Sequence, residues 1–224
     1  MKKLHFVFAL LVALFCSSCS NEPSIITTVD KIADGEWQCF TKEFVLLAPK
    51  SAELRIAADT KYWLFVNGEL VVREGGLKRG PNPTDSYCDV LNEVPNLKFG
   101  KNRVVVLVQY YGRDSYSHRV SAVPGLYFDM TTPLRRIVSD DSWQAVRYDA
   151  MWQPAHEHNL GGLRKYRLAG ANVGYDARKA LDFSGDIDTK SWDKAVIVER
   201  EESEWGNFVV RPIPFWRWSE LRSY

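Results

Sequence analysis

The stretches of this sequence best equipped for chemistry are loops that mix aromatic rings with guanidinium, amide and carboxylate groups. Residues 73–86 carry Arg79, Asn82 and Asp85, and the region from 110 to 119 carries Tyr110, Tyr111, Arg113, Asp114, Tyr116, His118 and Arg119. Such a mixture suits a sugar. An aromatic ring stacks on the apolar C–H face, while amides, carboxylates and Arg take the hydroxyls. The candidate ligand-binding set is Arg79, Asn82, Asp85, Tyr111, Asp114, His118 and Arg119. Glycoside hydrolysis asks for more, namely two carboxyl groups about 5–10 Å apart across the scissile bond. Asp59, Asp85, Asp89 and Asp114 lie in or beside loops, but turn formation and strand-end hydrogen bonding account for them, and no catalytic residue is assigned. His156-Glu157-His158 places both imidazoles on one face if extended, as a zinc site requires, yet no third ligand is evident nearby. No metal residue is assigned. The sequence holds no P-loop, no Gly-x-Gly-x-x-Gly and no Gly-x-Ser-x-Gly.

The elements that must position these loops read as strands. Leu54, Ile56 and Ala58 alternate with Glu53 and Arg55, a half-buried strand of period two. Tyr62 to Val66 and Glu69 to Val72 flank Asn67-Gly68, a strong hairpin signal because both turn residues tolerate positive φ. Gly75, Gly76, Gly80, Pro81 and Pro83 mark a long loop, and Tyr87 to Val90 reads as a short strand. Arg103 to Tyr111 is apolar on both faces, the mark of a central strand in a packed sheet. Gly125 to Met130, Arg135 to Val138 and Trp143 to Tyr148 follow, then weaker strand candidates at 195–198 and 208–210. No segment downstream of residue 18 shows sustained helical periodicity with caps. Many short strands punctuated by Gly and Pro indicate an all-β sandwich or jelly roll. In such folds, calcium held by loop carboxylates and carbonyls is the one cofactor left open.

Composition narrows the class further. Of 224 residues, 46% are hydrophobic and 25% charged, an ordinary globular balance. With 29 basic and 28 acidic residues the net charge is +1, which gives no footprint for a nucleic-acid partner. Aromatics reach 13%, which suits both a β-rich fold and a sugar binder.

The N-terminus reads as an export signal. Lys2 and Lys3 precede an apolar run from Leu4 to Cys16 that is too short for a comfortable membrane span. Residues 1–18 are expected to be a signal peptide, with residues 19–34 as a tether. Without Lys2 and Lys3 the balance is 27 basic against 28 acidic residues. Besides Cys19, Cys39 and Cys88 remain; they can form one disulfide in an oxidising compartment or stay as two buried thiols.

Ser17-Ser18-Cys19, followed by polar Ser20-Asn21-Glu22-Pro23, resembles a bacterial lipoprotein signal, with Cys16 where Leu is common. That resemblance implies lipidation of Cys19 and export to the periplasm or surface of a Gram-negative bacterium, held to the membrane. Residues 52–68, A-E-L-R-I-A-A-D-T-K-Y-W-L-F-V-N-G, resemble the N-terminal β-sandwich of bacterial α-L-rhamnosidases, the glycoside hydrolases that remove terminal rhamnose. Gly75 to Pro81, Tyr87 and Asp89, Leu97 to Asn102, Pro124-Gly125-Leu126 and Ser139 to Trp143 resemble later elements in the same order. Tyr175 to Arg178, Ser191-Trp192 and Arg211 to Pro214 resemble the following β-rich segment and the lead-in to the catalytic part.

The resemblance implies a jelly-roll, galactose-binding-like β-sandwich over 35–150 and a second β-rich, loop-rich segment over 151–224. It implies that the two candidate loops share one rim; equally, those loops can dock on another domain. The family's catalytic carboxylates belong to a large α-helical toroid whose motif has no match in this chain. Three functions are therefore set side by side. The first is a non-catalytic module that binds or presents rhamnose-containing glycans. The second is a brace for a catalytic domain in the same or another chain, docked through Trp205, Phe215, Trp216 and Trp218. The third, least favoured, is a hydrolase with its own active site.

Overall fold

The computed structural model describes residues 22–49, 51–76, 82, 84–114, 119–121, 123–153, 173–199 and 204–217. Strands come first as β1 (Ile26–Thr27), β2 (Trp37–Leu46), β3 (Glu53–Asp59), β4 (Lys61–Val66) and β5 (Glu69–Gly76). They continue as β6 (Ser86–Leu91), β7 (Gly100–Gln109), β8 (Gly125–Thr131), β9 (Arg136–Val138) and β10 (Gln144–Arg147). Five short ones complete the set: β11 (Met151–Trp152), β12 (Gly174–Tyr175), β13 (Asp193–Lys194), β14 (Val196–Ile197) and β15 (Phe208–Val210). A single 3-10 turn, Ala177–Lys179, is the one helical element among the described residues.

The strands form an all-β sandwich. One sheet runs β14-β1-β8-β3-β6-β15, with β9 extending the edge of β8. The other runs β13-β10-β2-β7-β4-β5, and β11 with β12 makes a separate ribbon. Asn67 and Gly68 both take positive φ, 50° and 89°, and close the β4–β5 hairpin where the sequence places it. Strand β7 lies between β2 and β4, as its two apolar faces require. Val104, Val106 and Val108 enter the inter-sheet core with Phe40, Leu54, Ile56, Tyr62, Phe128 and Trp143. Val105 and Leu107 face outward with Trp37 and Cys39, where Leu181, Phe183, Ile187 and Trp192 cover them. Trp63 belongs to this outer layer, its ring 4.8 Å from that of Trp37. The outer face of the other sheet gathers Ala57, Cys88 and Trp205, with Tyr127 and Phe208 against them.

This arrangement decides the cysteine question. Cys39 on β2 and Cys88 on β6 lie in different sheets and in the two opposite outer layers. The core separates them, and both are buried free thiols, so the disulfide alternative does not hold. Burial pushes the Cys88 thiol up to about 11, and Cys39 is raised further by the same cause.

Two stretches outside 35–150 are woven into the same sheets. Ile26 pairs with Leu126 on β8 and with Ile197 on β14. Ser24 donates its amide to the Ser139 carbonyl at 3.0 Å. The stretch read as a tether therefore joins the fold from Ser24 onward. From the C-terminal side, β13 pairs with β10, and β15 runs parallel to β6. The side chain of Arg211, just beyond β15, is buried and donates from Nε to the Asp89 carboxylate. The other Asp89 oxygen accepts from the Tyr62 hydroxyl at 2.7 Å and the Gly76 amide at 2.9 Å.

Candidate functional site

Strand register sends both candidate loops to one end of the sandwich. Lys61 pairs with Gln109 and Gly76, Asp59 with Gly125, and Phe208 with Ser86, so the ends of β3, β5 and β7 and the starts of β4, β6, β8 and β15 converge there. The described residues of the two loops, 84–85 before β6 and 110–114 after β7, lie at this rim, as the resemblance implies. Buried hydrogen bonds fix it. The Thr60 amide donates to the Gln109 carbonyl at 2.7 Å, and the Tyr111 amide to the Thr60 hydroxyl at 3.2 Å. Asp59 accepts from the Ser121 amide at 2.6 Å and from the Ser121 hydroxyl.

Several candidate ligand residues belong to this internal bonding. Asp85 is buried and accepts from the Asn82 side-chain amide at 2.6 Å and from that of Asn207 at 3.5 Å. Tyr111 is 2% exposed, with the Lys61 ammonium 5.9 Å from its ring centre. Burial raises its phenol above the ordinary value, and Lys61 opposes the rise. Asp114 is exposed and accepts from the Val120 amide at 3.0 Å; Arg119 is exposed nearby. Arg79, His118, His156, His158 and Trp218 lie outside the described residues. Among the described residues, no group of three His, Cys, Asp or Glu side chains is arranged to hold a metal ion.

Two concavities open at this end, on either side of residues 33–36. An open groove of about 730 Å³ is lined by residues 27–34, Tyr110, Val123 and Pro124. The second, a hollow of about 300 Å³, is lined by Glu36, Arg147, Tyr148, Asp149, Met151, Trp152 and Lys179. The hollow has the chemistry of a sugar site, and the sequence reading missed it.

Each of its side chains has a local reason for its place. The Tyr148 amide continues the β10 ladder by donating to the Trp37 carbonyl at 2.8 Å. Arg147 and Asp149 follow the strand's alternation to one side, and Arg147 Nε meets Asp149 Oδ1 at 2.8 Å. That carboxylate raises the guanidinium's pKa above its ordinary value. Gly35, at φ 80°, lets the chain press against Gln153, where a Cβ would come within 2.6 Å of the Gln153 Cβ. The Gln153 amide returns a bond to the Gly35 carbonyl at 2.9 Å, which closes this wall. Glu36 stands on the wall and accepts from the Ala33 amide at 2.7 Å. Asp176 caps the 3-10 turn by accepting from the Arg178 amide at 3.1 Å, and the turn delivers Lys179.

Trp152 supplies the platform. It pairs with Gly174 across the β11–β12 ribbon, and a Cβ on Gly174 would fall 2.3 Å from the indole Cε2. Only glycine lets the ring lie against that backbone. One side of the indole is thus supported while the residue remains 44% exposed. A flat, rigidly backed aromatic surface sits beside an Arg–Asp pair, a second carboxylate and a lysine. That set can stack on a sugar face and bond its hydroxyls.

Comparison with known proteins places the fold. The chain superposes on the GH78 family rhamnosidase of Bacillus sp. GL1 with a TM-score of 0.69 and 23% identity, over 87% of this chain and 20% of that one. It superposes on the α-L-rhamnosidase of Dictyoglomus thermophilum with a TM-score of 0.62 and 21% identity, over 86% of this chain and 22% of that one. A lectin of Pleurotus ostreatus, solved in complex with GalNAc, matches with a TM-score of 0.50 and 15% identity, over 87% of this chain and 50% of that one. The chain thus spans about a fifth of the length of the rhamnosidases it resembles, a partial match to their architecture. No family model and no curated protein matches the sequence.

Proposed function

We propose that this protein is a non-catalytic, carbohydrate-associated β-sandwich module that binds rhamnose-containing glycans in the hollow beside Trp152. The exposed, backbone-supported Trp152 ring flanked by Arg147, Asp149, Glu36 and Lys179 carries the reading. The fold's likeness to rhamnosidases and to a lectin crystallised with a sugar supports the ligand class. The module acts as a sugar-holding part joined to, or working beside, a rhamnosidase-type catalytic domain. It is exported and held at the membrane of a Gram-negative cell through lipid on Cys19.

Isothermal titration of the protein with L-rhamnose and with rhamnose-containing oligosaccharides tests the binding. Saturable binding is expected, weakened about tenfold or more by Trp152→Ala, because a stacked aromatic ring contributes on the order of 1–2 kcal/mol. Flat titrations at millimolar sugar, or an unchanged Trp152→Ala, would contradict the reading.

A second reading, a brace for a catalytic domain, is favoured by the C-terminal edge. Ile213 and Trp216 follow β15 with Trp216 66% exposed, large apolar side chains suited to docking. Trp205 does not share that role, since it is buried and donates its indole N–H to the Val123 carbonyl at 3.1 Å.

A further inference from the structure

The end of the sandwich opposite the rim carries an exposed apolar surface. Val45 and Leu47 at the end of β2 are both more than half exposed, Phe99 is 72% exposed and Leu134 is 68% exposed. Gly100 pairs with Leu46, so Phe99 stands one step beyond that pair, opposite Leu47. Arg135 Nη1 donates to the Val45 carbonyl at 3.3 Å, which lays the β8–β9 turn, and Leu134 with it, against the same end. These are neighbours on adjoining strand ends and not singly scattered side chains. Around them Lys101, opposite Val45, pairs with Glu43 at 3.0 Å.

The chain leaves the fold at this same end toward its N-terminus. Ser24 is bonded to Ser139, and Glu22 Oε1 lies 3.6 Å from Arg136 Nη1. Arg136 pairs with Thr131, the last rung of β8. Cys19 is only three residues before Glu22, and three residues reach about 11 Å at most. A tether of that length cannot hold the sandwich away from a bilayer that carries lipid attached to Cys19. The end bearing Glu22 must lie at the membrane surface, and that end presents Val45, Leu47, Phe99 and Leu134.

We propose that this end is a membrane-contact face, with Phe99 and Leu134 entering the interfacial layer of the bilayer that holds the lipid on Cys19. The inference rests on the lipid-anchored reading given above. A bilayer is favoured over a protein module because the short tether leaves from this end, while β15, which also runs toward it, stands at the far edge of the sheet, across β8, β3 and β6 from β1, roughly 19 Å at the usual strand spacing. Apolar side chains entering an interface, together with a lipid chain, give the two-signal attachment that stable anchoring needs. The face also fixes orientation, with the Trp152 hollow at the far end and directed away from the lipid.

The test uses the full-length precursor, processed in a Gram-negative host and reconstituted into vesicles of phosphatidylethanolamine and phosphatidylglycerol. Mass analysis of its N-terminal peptide comes first. An unacylated Cys19 would overturn the anchored reading and the contact face together. With Cys19 acylated, a bimane label is placed through Phe99→Cys, Leu134→Cys or, at the rim, Asp114→Cys; Cys39 and Cys88 are buried and stay unlabelled. Nitroxide-bearing lipids are expected to remove most of the emission at 99 and 134 and little at 114. Equal, weak lipid quenching at all three positions would overturn the contact face while leaving the anchor intact. So would a label at 99 shielded from both nitroxide lipid and aqueous iodide, which would mean that protein covers the patch.

Discussion

The two ends of the sandwich are built on opposite terms. At the rim, polar groups are turned inward: Asp59, Asp85 and Asp89 are buried, and their oxygens accept from Ser121, from Asn82 and Asn207, and from Tyr62, Gly76 and Arg211. At the other end, apolar groups are turned outward, with Phe99 and Leu134 among the most exposed large side chains. The rim is a rigid frame that can hold a wall and an aromatic platform in fixed geometry. The opposite end keeps its core closed with Phe44 and Leu46 and leaves its outermost residues unspent. Stability should therefore be concentrated at the rim side, and contact with surroundings at both ends by different chemistry.

Asp89→Ala should give the largest effect. It leaves the buried Arg211 guanidinium without its counter-charge and strips Tyr62 and Gly76 of their acceptor. Breaking a buried pair from one side costs about 3–5 kcal/mol, to be read as a fall in the urea midpoint. A loss similar to that of a surface substitution would erase the contrast between the ends.

Alkaline pH should act next. Burial raises Cys88 from 9.0 to about 11 and raises Cys39 further, while burial and then Asp89 raise Tyr62. A raised acid binds its proton in the folded state after the unfolded chain has released it. The stability it contributes is full below pH 9 and is lost as pH rises from 9 through 11. Thermal midpoints measured from pH 7 to 11 should hold steady and then decline. Cys39→Ala with Cys88→Ala should flatten the decline, because the buried tyrosines, raised from a higher ordinary value, then remain.

The smallest effect should come from Phe99→Ser with Leu134→Ser. Removing exposed side chains should move the urea midpoint by no more than about 0.5 kcal/mol equivalent. A larger loss would mean that the patch is part of the folding core.

Much of the fold was legible because its signals are local. The Asn67-Gly68 turn and the doubly apolar Arg103 to Tyr111 strand each carry their meaning within ten residues. The convergence of the two candidate loops followed from the resemblance and is seen in the register. Partnerships across long separations were not legible. Residues 196–197 and 208–210 read as strands, but nothing local shows that they pair with β1 and β6. Ile26 pairs in a strand of two residues, too short to show any period, and so the stretch around it read as tether. The Trp152 hollow escaped for the same reason. It exists only when Gly174 is brought beneath the indole from 22 positions along the chain and Lys179 arrives on the capped turn after it. A tryptophan two positions before a proline gives no sign of that support. Conversely, Asp85 and Tyr111 carry the residue types of a binding loop but are buried within the frame.

The most direct measurement is a glycan titration of the isotope-labelled protein followed by amide and indole NMR. The account predicts that rhamnose-containing oligosaccharide shifts the Trp152 indole N–H and the amides of Arg147 to Trp152 and Lys179 in a saturable way, with residues 99 and 134 unmoved. Shifts confined to the open groove at residues 27–34, or no shifts at millimolar sugar, would contradict it.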